Sequence, residues 1–195
     1  MEQSQLNQDL AKLRENLGSL PEPMANPAFV VVSGLPGTGK SFFCRKLADR
    51  QPFYILESDA IRKTLFPSPD YSITESARLF SACHSLIEWL LRNGVPVVFD
   101  ATNLSEGHRG HLYRISDRSR ARLVLVRVEA PPAVAYQRLQ ARKTTGNPED
   151  KSDADWEVYR RMEQSAEIFQ RNHFAVDTSR DITPVVDKII RMINR

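Results

Sequence analysis

The chain has 195 residues, 41% of them hydrophobic and 26% charged, which is the composition of one folded domain rather than of a disordered polymer. The net charge of +3 is too small to name a partner, and no apolar run approaches the ~20 residues of a membrane-spanning helix. The polar start, MEQSQLNQDLAKLRENL, lacks the apolar core of a secretion signal, so a cytoplasmic protein without membrane attachment is expected. Two cysteines, Cys44 and Cys83, make neither a metal spacing nor a disulfide framework and read as reduced thiols on the core side of helices.

Residues 1–20 carry Leu6, Leu10, Leu13 and Leu17 at helical spacing, then Leu20. That spacing predicts an amphipathic helix docked either on its own domain or on a partner, self-association included. Pro21, Pro23 and Pro27 make a stiff linker, so residues 1–27 are set apart from a main domain at 28–195. Phe29–Ser33 is a wholly apolar strand of the kind buried on both faces of a parallel sheet. A glycine-rich turn follows, then a helix from about Lys40 and a second strand at Phe53–Glu57. A long helix at 73–92 stops at Asn93-Gly94, the usual place for glycine. The third strand is Val95–Asp100 and the fourth Leu123–Val128, with a helix at 106–118 between them. Helices are expected at 132–142 and 153–170 around a polar loop at 143–152. Phe174–Asp177 is a last short strand and Pro184–Arg195 a closing helix. Alternating strands and helices imply right-handed crossovers and a parallel sheet covered on both faces, with ligand chemistry at the carboxyl ends of the strands.

The candidate motifs fall at those ends. Gly34-Leu35-Pro36-Gly37-Thr38-Gly39-Lys40-Ser41 matches G-x-x-x-x-G-K-[ST], with an apolar strand before it and a helix after it. Glycines let backbone N–H groups turn inward around a phosphate, and the helix points its positive end the same way. Lys40 is expected on the β/γ-phosphate oxygens and Ser41 on Mg²⁺. A nucleoside triphosphate is therefore the expected ligand.

What the nucleotide serves is read from the rest of the chain. No N/T-K-x-D segment for guanine is present, and the third strand ends in a single carboxylate, Asp100, where a motor ATPase usually carries an acidic pair. The pattern favours an ATP-dependent kinase with a lid. Such an enzyme needs a carboxylate on the acceptor hydroxyl, and Asp59, just past the second strand, is well placed for it; it also reads as the N-cap of a short helix from Ala60. Asp100 faces the same crevice, where holding Mg²⁺ through water and orienting the acceptor are both open. Arg138 and Arg142 share a helix face one turn apart, before Lys143-Thr144-Thr145-Gly146-Asn147-Pro148, which suits a mobile lid at about 138–160. Nine Lys/Arg face two Asp/Glu between Arg109 and Lys143, a concentration that suits a phosphate-rich ligand.

GLPGTGKS, ESDAIR, DATN and RLQAR together resemble the kinase module of polynucleotide 5′-hydroxyl kinases and the related ATP-binding P-loop kinases, zeta-toxin-like proteins among them. The resemblance covers about 28–192. It implies an adenylate-kinase-like α/β fold, a P-loop three-layer sandwich on a mainly parallel five-stranded sheet, here with an added N-terminal helix. It implies ATP and Mg²⁺ as cofactors, Asp59 as general base, Arg62 on the acceptor's phosphate, and Asp100 on acceptor or metal. It implies Arg138 and Arg142 as lid arginines and Thr178, within Asp177-Thr178-Ser179, beside the adenine. Asn103 of the DATN run is a candidate acceptor contact, and Arg109, following DATNLSEGH, a candidate substrate-facing arginine. No D-x-D-x-T phosphatase motif is present. The expected reaction moves the ATP γ-phosphate to a hydroxyl, with a nucleic-acid 5′-hydroxyl favoured; a kinase of a sugar, nucleoside or antibiotic, or a nucleotide-binding regulatory or toxin-like protein, is the alternative. His108 and His111, three apart on a helix, read as a solvent-facing pair, and Trp89 and Trp156 as packing residues.

Overall fold

A computed structural model describes residues 2–145 and 152–194. Its elements run α1 (Glu2–Glu15), β1 (Ala28–Ser33), α2 (Lys40–Ala48), β2 (Tyr54–Glu57), α3 (Ser58–Leu65), α4 (Ile73–Arg92) and β3 (Val97–Asp100). They continue α5 (Glu106–Ser119), β4 (Arg122–Glu129), α6 (Pro132–Thr145), α7 (Trp156–Gln164), β5 (Phe174–Asp177) and α8 (Thr183–Ile193). The five strands pair in the order β2-β3-β1-β4-β5, all in parallel. This is the α/β P-loop sandwich that the alternation of elements predicts, with β1 at the point where the winding reverses direction.

Every residue of β1 is buried, because each faces one of two cores. Phe29 and Val31 join the leucines of α4 and α5 on one side of the sheet. Val30 and Val32 join Phe43, Leu47, Val186 and Ile189 of α2 and α8 on the other. The register then sets the chemistry: Val32 is opposite Asp100, and Asp100 is opposite Glu57. Three strand ends are thereby brought level, and the segments that follow them share one crevice.

The N-terminal helix packs on its own domain. Leu13 and Leu17 are part of the larger core, Leu6, Leu10 and Leu20 pack against it, and Asp9 takes two hydrogen bonds from Arg78 of α4 at 2.6 and 2.7 Å. Of the two docking choices left open by the leucine spacing, this is packing on the chain's own domain. The Arg78 guanidinium is also what holds the Asp9 carboxyl below its ordinary range, against the opposing effect of burial.

The helix expected over 153–170 is shorter. Asp155 caps its start by accepting from the N–H groups of Glu157 and Val158, and it ends at Gln164. Beyond it, the Glu167 and Ile168 carbonyls accept from Arg109, and the Glu167 N–H donates to Leu104 O, so this stretch of backbone bonds outward instead of coiling. Of the loop expected at 143–152, residues 146–151 lie outside the described residues, and α6 runs three residues past its expected end.

Leu13 is only 3% exposed. Leu13→Ala is expected to lower stability by about 2–4 kcal/mol, the cost of a cavity in a packed core, measured by urea unfolding of the full chain.

Candidate active site

The phosphate loop is shaped by close approaches. A side chain at Gly34 would meet the Val128 carbonyl oxygen at 2.3 Å, and Gly39, at φ +89°, lies against Thr178 and opens α2. Thr38 is buried and closes the loop on itself through Leu35 O at 2.8 Å. Lys40 Nζ donates to the same carbonyl at 3.1 Å. Burial lowers the Lys40 pKa, while Asp100 and then Asp59 oppose the shift. Ser41 Oγ donates to Asp100 Oδ2 at 2.6 Å, which puts two hard oxygen donors together at the head of the helix.

A cavity of about 810 Å³ opens beside this loop. Pro36, Gly37, Gly39, Lys40 and Ser41 line one part of it, with Asp59, Arg62, Asp100 and Arg142 around them. Asp59 follows β2 by two residues; burial raises its pKa above the ordinary 3.8, against the Ser152 side-chain hydrogen bond and the Lys40 charge. Arg142 lies on α6 with Nη1 3.5 Å from Ser152 O. The remaining wall carries Tyr71, Ser76, Phe80, Asp153, Val158, Arg161 and Met162. Most of these side chains belong to no motif. The Ser72-Ile73-Thr74-Glu75 capping box could have marked where α4 begins, but nothing local tells which residues meet across the cavity.

Several expected site residues are held elsewhere. Arg109 is 0% exposed: Nε donates to Glu106 at 2.7 Å, Nη1 to Asn103 O at 2.7 Å, Nη2 to the Glu167 and Ile168 carbonyls, and the guanidinium stacks on Phe169 at 4.1 Å. It joins two loops and does not line the cavity beside the phosphate loop. Asn103, at φ +45°, spends its Nδ2 on Val32 O at 2.8 Å, while its own carbonyl accepts from Ser33 Oγ at 3.0 Å. It fastens the DATN turn to β1, is buried, and likewise does not line that cavity. Arg138 turns from the cavity to Thr178, donating to Oγ1 at 2.7 Å and O at 3.0 Å, and reaches Gly37 O at 3.4 Å. Thr178 Oγ1 in turn donates to Thr38 O at 2.6 Å. Arg138 and Thr178 thus brace the phosphate loop from behind, and Arg142 alone of the arginine pair lines the cavity. Arg62 is at the cavity wall, but buried Glu75 pairs with its charge and Ser76 Oγ accepts from it at 3.4 Å.

The basic stretch disperses as well. Arg118 pairs with Glu88 at 2.8 Å and Arg127 with Glu129 at 3.0 Å, while Arg122 closes the end of α8 by donating to the Met192 and Ile193 carbonyls. No group of His, Cys, Asp and Glu among the described residues could hold a metal by itself; His111 stacks on His84 at 5.7 Å. No helix among the described residues is long and apolar enough to cross a membrane.

Residues 29–168 match the family model described as an AAA domain. No curated protein sequence matches the chain. Among solved structures, Kti12 of Chaetomium thermophilum in complex with ADP-AlF3 superposes with a TM-score of 0.68 at 18% identity, over 85% of this chain and 98% of that one. The APS kinase CysC of Mycobacterium tuberculosis, in complex with AMPPNP and APS, gives 0.62 at 19%, over 89% and 100%. A gluconokinase from Sinorhizobium meliloti gives 0.58 at 20%, over 87% and 93%. At these identities the likeness is one of fold.

Removing the Arg109 strut takes the donor from the Glu167 and Ile168 carbonyls and the ion-pair partner from Glu106. Arg109→Ala is expected to cost about 3–5 kcal/mol of stability by urea unfolding, with nucleotide affinity unchanged in the fraction that remains folded.

Proposed function

The chain belongs to the AAA domain family, and from that premise we propose that it is an ATP-dependent kinase acting on a hydroxyl of a small molecule. The observation that carries the reading is the convergence of Lys40, the Ser41–Asp100 pair, Asp59 and Arg142 on one cavity large enough for a nucleotide and a modest acceptor. Lys40 and the loop N–H groups bind the β- and γ-phosphates. Asp59 takes the proton of the acceptor hydroxyl, whose oxygen attacks the γ-phosphorus as the bond to the bridging β–γ oxygen breaks and ADP leaves. Arg142 meets the charge on the migrating group. Ser41 Oγ and Asp100 Oδ2 have the donor chemistry for Mg²⁺, which when bound neutralises phosphate charge.

Two features favour a small acceptor over a nucleic-acid end. Beyond Asp59 the cavity is walled by Tyr71, Phe80, Val158 and Met162, a concave and partly apolar surface. Most of the arginines counted between 109 and 143 are engaged within the chain, in ion pairs or on backbone carbonyls, and so are not gathered for a phosphate backbone. Kinases of small molecules share the fold, APS kinase and gluconokinase among them.

The test is transfer of labelled γ-phosphate from Mg-ATP to a panel of sugars, nucleosides, antibiotics and 5′-hydroxyl oligonucleotides. Label is expected on a small molecule, with transfer falling at least about 100-fold in Asp59→Asn, the loss of a general base. Label on the oligonucleotide would move the acceptor to nucleic acid and keep the base. ATP binding with no label on any acceptor would end the kinase reading and leave a nucleotide-binding regulator.

Burial makes the ionised Asp59 carboxylate costly in the folded chain. The acid limb of kcat/KM against pH is therefore expected above the ordinary aspartate value of 3.8, activity rising as Asp59 loses its proton. For the same reason Asp59→Asn should unfold at no lower temperature than the parent at neutral pH, measured by calorimetry.

A further inference from the structure

Tyr71 sits in the turn between α3 and α4 at φ +56°, a left-handed conformation that a bulky side chain adopts only when its surroundings impose it. The turn is tied from several sides. The Asp70 N–H donates to Glu75 Oε2 at 2.7 Å, the Ser72 N–H to Asp70 Oδ1 at 2.8 Å, and the Glu75 N–H to Ser72 Oγ at 3.1 Å. The Arg62 guanidinium, itself paired with Glu75, lies 4.7 Å from the Tyr71 ring centre.

What this turn presents is the phenol. Tyr71 Oη donates to Asp153 Oδ2 at 2.6 Å, across 82 residues of sequence, and Lys63 Nζ reaches Asp153 Oδ1 at 3.4 Å. Ser152, Asp153 and Ala154 all line the cavity. The residue beside Asp153 touches the chemistry directly: the Ser152 side chain bonds Asp59, and its carbonyl lies 3.5 Å from Arg142 Nη1.

We propose that Tyr71 and Asp153 are positioning residues, their bond fastening residues 152–154 over the acceptor side of the cavity so that bulk water is kept from Asp59 and the γ-phosphate. The inference rests on the phosphotransfer reading, since a kinase gains by excluding water as a competing acceptor. The fastening holds across neutral pH. The phenol keeps Asp153 below its ordinary range, so it stays ionised, and burial together with Asp153 pushes the Tyr71 phenol up to about 12, so it stays a donor.

The experiment uses the full chain with Mg-ATP and no added acceptor, in Tyr71→Phe, Asp153→Ala and the double variant. Backbone hydrogen exchange over residues 152–155 is expected to accelerate about tenfold in each, the loss of one charge-assisted bond. ADP formation should rise by several fold while KM for ATP stays within about twofold, since the nucleotide contacts are untouched. The double variant should match Asp153→Ala, which already removes the bond to Tyr71 together with the Lys63 contact. Unchanged exchange in all three would overturn the fastening. Faster exchange with unchanged or slower ADP formation would overturn its role in excluding water. A parent chain that makes no ADP and labels no acceptor would end the kinase reading, leaving hydrogen exchange to decide the fastening by itself.

Discussion

The site depends on one constraint, the parallel register of three neighbouring strands. Because β1 is buried on both faces it has no freedom to slip: a shift of one residue would exchange the side chains that fill the two cores. With β1 fixed, the pairing of Val32 with Asp100 and of Asp100 with Glu57 follows, and three loops leave the sheet at one level. The Ser41–Asp100 hydrogen bond and the approach of Asp59 to Lys40 are consequences of that alignment. Ser33 and Asn103 reinforce it with bonds between β1 and the turn after β3.

That alignment explains what could be read in advance. The strands and their order of appearance were legible because each is a short apolar run bounded by glycine, proline or a charged residue. The phosphate loop was legible because its backbone geometry demands glycine at fixed places, as Gly34 and Gly39 show by leaving no room for a side chain. Arginines were not. A guanidinium has five donors and a long stem, so the same residue type serves equally to grip a ligand or to gather carbonyls, and only the fold decides. Arg142 ended at the cavity, whereas Arg109 and Arg138 were taken up by internal acceptors. The wall beyond Asp59 was hidden for a related reason, since Tyr71, Phe80 and Met162 come from segments with no shared local pattern.

The dispersal of positive charge also separates binding from framework. Charges counted along the sequence suggested a basic surface, yet most of those arginines close helix ends, bridge loops or pair with nearby glutamates. Each internal acceptor that a guanidinium satisfies is a polar group that would otherwise be costly to bury. Much of the chain's positive charge is thus spent on letting irregular segments pack, above all the backbone at 167–168 held over Phe169 by Arg109.

The docking of the first helix on α4 has a consequence for how the chain is made. Asp9 is bound to Arg78, 69 residues later, so the helix leaves the ribosome well before its partner exists. At the usual rate of synthesis the gap is roughly 3–14 s. During that time Leu6, Leu10, Leu13 and Leu17 lack the α4 surface that covers them in the finished protein, and a stretch that is inert there is an exposed apolar face in the nascent chain.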